Sequence, residues 1–141
     1  MRTLLAVVAL LGGCATVQPP APVSEPVPPP APSIENAAVA SLMAGARADA
    51  AAGRLVQAAG SLERALRIEP RNPRLWQELA RVRLKQGDYA QAESVAARSN
   101  SWAGGDNRLR AENWRLIAQA REARGDAAGA RAALEAADRQ R

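Results

Sequence analysis

The sequence predicts an all-α fold, a solenoid of about three helix–turn–helix repeats preceded by a disordered proline-rich tether. Only 3% of the residues are aromatic and none is Phe, so a core must form from small aliphatic side chains on closely packed helices. Runs of β-branched and aromatic residues, which are typical of strands, are nearly absent. Gly53, Gly87 and Gly125 each end an Ala/Arg-rich helical run, at spacings of 34 and 38 residues, and such a period indicates a repeat architecture.

The first 13 residues have the pattern of a secretory signal peptide. Arg2 provides a positive start, and the apolar stretch from Thr3 to Leu11 is shorter than the roughly 20 residues that span a bilayer. The following segment, Leu11-Gly12-Gly13-Cys14, resembles the lipobox of bacterial lipoproteins. An ordinary signal peptide with an unrelated cysteine, or a short core helix, is the alternative.

The lipobox resemblance implies a covalent lipid on Cys14, the only cysteine in the chain. The chain would be cleaved before Cys14, a diacylglyceryl group would be attached to its sulfur, and the freed amine would be acylated. A thiolate is the nucleophile that suits such an alkylation. Ala15, rather than Asp, follows the cysteine, and by resemblance to the enterobacterial sorting rule this favours the outer membrane. We therefore expect a protein anchored in the outer membrane of a Gram-negative bacterium and facing the periplasm.

Residues 14–35 form the predicted linker. Eight of the ten prolines lie between Pro19 and Pro32, which excludes a helix or a central strand there. An extended polyproline II-like chain rises about 3.1 Å per residue, so the linker would reach roughly 60 Å. A proline-rich ligand for a partner domain is the alternative, although the tract lacks flanking arginines.

Residues 36–141 form the predicted repeat domain, aligned on the three turn glycines. A large residue precedes each glycine by eleven positions, and a small residue follows that large one by four; these are Leu42, Trp76 and Trp114, then Ala46, Ala80 and Ala118. After the turn, the aligned positions are Leu55, Tyr89 and Ala127; Ala58, Ala92 and Ala130; Leu62, Ala96 and Leu134; and Ala65, Ser99 and Ala137. This pattern resembles the tetratricopeptide repeat (TPR), with repeats at about 39–72, 73–110 and 111–141.

Each aligned position has a physical role in the resemblance. Small residues let the two helices of a repeat approach closely, and glycine supplies a left-handed turn after the first helix. Asn72, followed by Pro73, is a predicted helix cap, and Asp88 and Asp126 are predicted to cap the helices that follow them. Three departures stand out: Gly45 replaces a usual Leu, Ala127 lacks bulk at its position in the third repeat, and four residues are inserted around Ser101 to Asp106.

A TPR solenoid lines its concave face with the first helix of each repeat, which identifies a candidate partner-binding surface. The predicted surface residues of these helices are Met43, Arg47, Arg74, Gln77, Arg81, Lys85, Arg115 and Gln119, with Glu112 and Glu122 at one end. Such a face is basic in the middle and suits an extended acidic or polar peptide. The alternative is that these arginines are merely solvated.

Trp102 lies in NSWAGGDN, a predicted loop with two glycines. It is either an anchor for a partner or a plug folded over the joint between repeats 2 and 3. We prefer the plug.

Composition argues against catalysis and against cofactors other than the covalent lipid. The chain has no histidine and one cysteine, so no internal disulfide, Cys/His metal cluster or Ser/His/Asp arrangement can be built. The formal charge of +5 is spread as single arginines among acidic residues, without a basic block or an aromatic stacking platform. Solvated Arg/Glu pairs on helices explain it better than nucleic-acid binding.

The arrangement as a whole, and SLERALRIEPRNPRLWQELARVRLKQGDYAQAESVAARSN at Ser61 to Asn100 above all, resembles the short outer-membrane TPR lipoproteins of the LpoP type. That resemblance implies binding and activation of an inner-membrane peptidoglycan synthase, a bifunctional class A penicillin-binding protein. The alternatives are a pilotin-like lipoprotein that assembles a secretin, or a general adaptor for another envelope complex.

Overall fold

The protein, in a computed structural model that describes residues 34–140, consists in that range of six α-helices arranged as three consecutive pairs. The predicted signal peptide, Cys14 and the predicted linker up to residue 33 lie outside the described residues, whereas Ile34 and Glu35, which the prediction assigned to the linker, belong to the first helix. The helices are α1 (Ile34–Ala51), α2 (Leu55–Ile68), α3 (Pro73–Lys85), α4 (Tyr89–Trp102), α5 (Asn107–Ala123) and α6 (Ala127–Asp138). Within these residues, none of the helices combines the length and the apolar character needed to cross a membrane.

Each helix packs mainly on its neighbours in the chain, which is the arrangement of a solenoid. The pairs α1–α2, α3–α4 and α5–α6 have the most extensive contacts, and α2–α3 and α4–α5 join one pair to the next. The first helices of the second and third pairs, α3 and α5, also touch each other. The predicted all-α repeat fold is therefore confirmed.

The turn between the two helices of each pair contains a glycine in the left-handed region. Gly53, Gly87 and Gly125 have φ angles of +78°, +79° and +82°. A side chain at such a φ clashes with the backbone, so glycine is the residue that ends the first helix at no steric cost. The three turns share one geometry, as the spacing of the glycines predicts.

Two of the three predicted helix caps are present. The Asn72 side chain accepts from the backbone N–H groups of Arg74 (3.0 Å) and Leu75 (3.4 Å), with Pro73 as the first residue of α3. Asp126 accepts from the backbone N–H of Gly129 at 2.8 Å. The prediction for Asp88 is wrong, because its side chain makes no capping bond to α4.

The four-residue insertion is taken up by an additional helical turn. Helix α4 continues to Trp102, and α5 begins at Asn107, four residues before the predicted start of the third repeat. Asp106 caps this extended α5 by accepting from the backbone N–H of Leu109 at 2.9 Å. The third repeat therefore begins with a longer first helix than the second.

Small residues line the contact between the helices of each pair. The buried alanines at the predicted positions are Ala46, Ala58, Ala80, Ala92, Ala118 and Ala130. Their short side chains allow close approach of the helices, and the larger Leu42, Trp76 and Trp114 pack, partly buried, against the resulting core. The two tryptophans thus contribute to packing at the edges of the two cores.

Two departures at the ends of the stack follow from the missing neighbour on one side. Gly45 occupies the position of Leu79 and Ile117, which pack into the cores around the preceding helix pairs. In the described part of the chain no pair precedes α1, so Gly45 is exposed and leaves no void. Leu134 aligns with the buried Leu62 but is 48% exposed, since no further described helix covers it.

Candidate partner-binding groove

The first helices of the three pairs line a groove of about 510 Å³, called here the A-helix groove. Its floor is apolar and is formed mainly by Ala46, Ala50, Val82 and Leu116 on these helices, together with Leu62 on α2. Its polar rim consists of Arg47, Glu78, Arg81, Lys85, Glu112, Arg115 and Gln119. An apolar floor with a charged rim can hold a segment that carries both aliphatic and charged side chains.

Ion pairs on the rim connect each first helix to the next. Arg47 on α1 donates to Oε1 of Glu78 on α3 at 2.6 Å, and Arg81 on α3 contacts Oε2 of Glu112 on α5 at 3.1 Å. Both arginines are more than two fifths exposed, so each pair contributes at most about 1 kcal/mol to stability. Their main effect is to neutralise two of the basic groups.

Lys85 and Arg115 are the basic rim residues that remain available. Both are exposed, and among the described residues neither has an ion-pair partner. With the acidic rim residues engaged by Arg47 and Arg81, the remaining charge of the groove is positive. The groove therefore favours a ligand that brings carboxylates to Lys85 and Arg115 while its apolar groups contact the floor.

Five of the eight predicted surface residues line this groove: Arg47, Arg81, Lys85, Arg115 and Gln119. Met43 instead packs, partly buried, against the first core. Arg74 points to the connection between α4 and α5, where its guanidinium lies 3.4 Å from Oδ2 of Asp106. The structure does not bring these two residues to the groove.

Gln77 is buried at 6% exposure, so its prediction as a surface residue is wrong. Its Nε2 donates to Oδ1 of Asn113 on α5 at 3.0 Å. Asn113 donates in turn to Oγ of Ser99 at 2.7 Å and to Oδ1 of Asn100 at 2.9 Å. Ser99 then donates to the carbonyl of Pro73 at 2.7 Å. This polar network joins the second helix pair to the third.

Sequence reasoning missed Glu78 as a rim residue. A repeat template assigns the surface to fixed positions of the first helix, and Glu78 stands one position beyond the one occupied by Gln77. In the structure Glu78 contacts Arg47 of the preceding helix pair, and Gln77 lies in the joint with the following pair. The signal available in the sequence was the recurrence of Arg at 47 and 81, each of which meets a glutamate of the next repeat.

Comparison with known proteins supports the repeat assignment and identifies a more specific family. The family model of the tetratricopeptide repeat matches residues 49–112. The solved structure of the globular C-terminal domain of P. aeruginosa LpoP is 51% identical in sequence, with a TM-score of 0.70, and the match covers 71% of this chain and 94% of that one. The chain belongs to the LpoP family. A search among curated proteins found no match.

Membership of the LpoP family makes the described domain a TPR interaction module of the LpoP type. Such a module acts on a protein partner through its surface. In this LpoP-family chain the A-helix groove combines an apolar floor with convergent charged groups on its rim, and it is therefore the candidate binding site.

Trp102 lies outside the A-helix groove of this LpoP-family domain. It is the last residue of α4 rather than part of a loop, and 40% of its surface is exposed. The guanidinium of Arg71, from the connection between α2 and α3, lies 5.3 Å from the centre of its ring. The interpretation of Trp102 as a plug over the joint between repeats 2 and 3 stays a prediction.

Proposed function

We propose that this chain is a lipid-anchored, non-catalytic periplasmic module that binds and activates a bifunctional peptidoglycan synthase, a class A penicillin-binding protein. The observation that carries the proposal is the 51% identity to the LpoP domain over 94% of its length. The resemblance of the sequence to LpoP-type lipoproteins implies this partner and this effect. The A-helix groove is the surface that we assign to the synthase.

The geometry of the groove defines the kind of segment that it would hold. Packed helices lie about 8–10 Å apart, so the path from α1 across α3 to α5 is roughly 20 Å. An extended chain covers that distance with about six residues. Carboxylates on such a segment would meet Lys85 and Arg115, and its aliphatic side chains would meet Val82 and Leu116 on the floor.

Activation requires the module to prefer one state of the synthase. A bound protein shifts a conformational equilibrium only by the difference between its affinities for the two states. The segment of the synthase that binds in the groove would therefore be fully accessible in the active state of the synthase and less accessible in its inactive state. No reacting group on the TPR domain is needed for this effect.

The N-terminal region would position the domain, whereas recognition of the synthase would be the task of the groove. Lipid chains on Cys14 would give a stable anchor in the outer membrane, since each buried methylene contributes about 0.8 kcal/mol. The linker from 14 to 35 would then hold the domain up to roughly 60 Å away from that membrane. A synthase in the inner membrane would be reached through the peptidoglycan layer by this extension.

The proposal is tested by measuring the affinity of the purified mature chain for the purified synthase, together with the rate of glycan polymerisation. We expect binding and a rise in rate for the wild-type chain. The variant Lys85→Glu/Arg115→Glu should bind about tenfold more weakly or worse, because two attractive rim charges become repulsive. The matched control is Arg131→Glu/Arg139→Glu, which makes the same charge change at two exposed positions in the C-terminal part of the domain.

Equal affinity of the groove variant and the control would remove the A-helix groove as the binding site. If the wild-type chain does not bind the synthase and cross-linked envelopes yield a secretin component instead, the proposed function is wrong and the pilotin-like alternative stands.

A further inference from the structure

A second surface, outside the A-helix groove, is built from two tryptophans and two arginines around the α2–α3 connection. The Trp76 indole N–H donates to the carbonyl of Pro70 at 2.8 Å, and the guanidinium of Arg98 lies 5.0 Å from the centre of the Trp76 ring. Arg71, next to Pro70, lies 5.3 Å from the ring centre of Trp102. These five residues form one contiguous surface, called here the Arg–Trp patch.

Both arginines of the patch lie over an indole ring and are not paired with a carboxylate among the described residues. Their distances to the ring centres are within the roughly 6 Å of a cation–π contact. Among the described residues neither Arg71 nor Arg98 has an ion-pair partner, whereas eight ion pairs engage other arginines there. A guanidinium that contacts a ring and no carboxylate still has N–H donors for bidentate contact with a carboxylate.

The immediate surroundings of the patch leave its net charge positive. The acidic residue nearest in sequence, Glu69, accepts from the side-chain Nδ2 of Asn72 at 2.7 Å and, among the described ion pairs, pairs with neither arginine. Arg67, one turn earlier near the end of α2, is exposed and adds a further positive charge. The patch therefore combines positioned cations with an aromatic ring that is 40% exposed, at Trp102.

We infer that the Arg–Trp patch is a second protein-docking surface, whose partner presents at least two carboxylates to Arg71 and Arg98 and an apolar side chain to Trp102. Tryptophan and arginine are the residues in which the binding energy of protein interfaces concentrates. The ordered side chains lose little conformational freedom on binding, which favours recognition of a folded acidic surface. An anionic membrane would require a broader set of exposed apolar side chains, and within the patch only Trp102 and Pro70 are exposed in that way.

This inference goes beyond the proposed function, because no member of the patch lines the A-helix groove. The two surfaces can contact one large partner at two points or two partners at once. Substitutions in the groove leave the residues of the patch unchanged, and the reverse also holds. The surfaces can therefore be tested separately.

The test places a photoreactive benzophenone amino acid at position 101, in place of the exposed Ser101 beside Trp102, in the full chain in living bacteria. Cross-linked products are identified by mass spectrometry down to the partner peptide. We expect a protein peptide with at least two acidic residues at or next to the cross-link. The same probe in place of exposed Ala132 on α6 is the positional control and should not capture that peptide.

Variants of the two arginines then show whether the cross-link depends on recognition by the patch or only on the partner being nearby. Arg71→Glu/Arg98→Glu should lower the yield of the cross-link by about tenfold or more, the scale of one lost interface hot spot. Arg71→Lys/Arg98→Lys keeps both charges but loses the planar donors, so its yield should fall in the same direction. Arg131→Glu/Arg139→Glu is the charge-matched control and should leave the yield unchanged. Thermal melts of the purified variants establish that each one is folded.

Several results would overturn the inference: no protein cross-link from position 101, products with lipid or glycan only, or a yield that the arginine variants do not alter. Capture of the synthase at 101 would support both the patch and the proposed function. Capture of another acidic protein at 101, lost in the arginine variants, would support the patch while removing the synthase from this surface. Capture of the synthase only through a probe in the A-helix groove would leave the proposed function standing and refute the patch.

Discussion

Replacement of Asn113 by alanine should weaken the joint between the second and third helix pairs. Asn113 is fully buried and makes three hydrogen bonds, to Gln77, Ser99 and Asn100. Each such bond contributes about 1 kcal/mol net, so their loss costs roughly 3 kcal/mol. The higher helix propensity of alanine returns about 0.6 kcal/mol. We expect the free energy of unfolding to fall by about 2–3 kcal/mol.

The assay is equilibrium unfolding in urea, followed by far-ultraviolet circular dichroism. Asn107→Ala is the matched control, because Asn107 lies on the same helix, is exposed and makes one surface hydrogen bond, from Arg110 at 3.0 Å. Its free energy of unfolding should change by no more than about 0.5 kcal/mol. Hydrogen exchange should also become faster in α5 and α6, since the lost bonds attach this pair to the rest of the stack.

A double-mutant cycle with Ser99→Ala identifies the source of the effect. Ser99 and Asn113 are in direct contact, so their losses should be non-additive by at least about 0.5 kcal/mol. A loss below about 1 kcal/mol for Asn113→Ala, or additive losses in the cycle, would refute the assignment of this network as the bond between the two helix pairs.

The remaining predictions concern the N-terminal region. Cys14→Ala should abolish metabolic incorporation of palmitate and leave the chain unprocessed or soluble, whereas the control Ser24→Ala should be labelled normally; a labelled Cys14→Ala chain would contradict lipidation at this residue. Deletion of residues 19–32 should shorten the reach by about 40 Å and abolish function in cells while leaving the affinity for the purified synthase unchanged. Complementation by the shortened chain would show that reach is not the purpose of the linker.

The helix pairs could be predicted from the sequence because their determinants are local. The three turn glycines need a left-handed backbone, and Asn72 with Pro73 specifies the start of α3 within a few residues. Ala46 and its equivalents report the close approach of two helices that are adjacent in the chain. Such features depend on residues fewer than about 20 positions apart, and a single sequence displays them directly.

The composition of the groove could be predicted only in part, because it depends on how one repeat is rotated against the next. Arg47 and Glu78 are 31 positions apart, as are Arg81 and Glu112, and no local pattern connects them. The same rotation buries Gln77 on Asn113 at a position that the repeat template assigns to the surface. A difference of one position along α3 separates a rim carboxylate from a buried amide.

The sequence by itself determined that this chain forms paired helices of the TPR type, since hydrophobic spacing, turn glycines and caps act within one repeat. The tertiary structure alone decided which charged side chains form ion pairs and which do not. Among the described residues, those without an ion pair include Lys85 and Arg115 in the groove and Arg71 and Arg98 over the tryptophans. The physical reason is that the partner of a long charged side chain is chosen by the packing angle between repeats. That angle results from all the contacts between neighbouring pairs together.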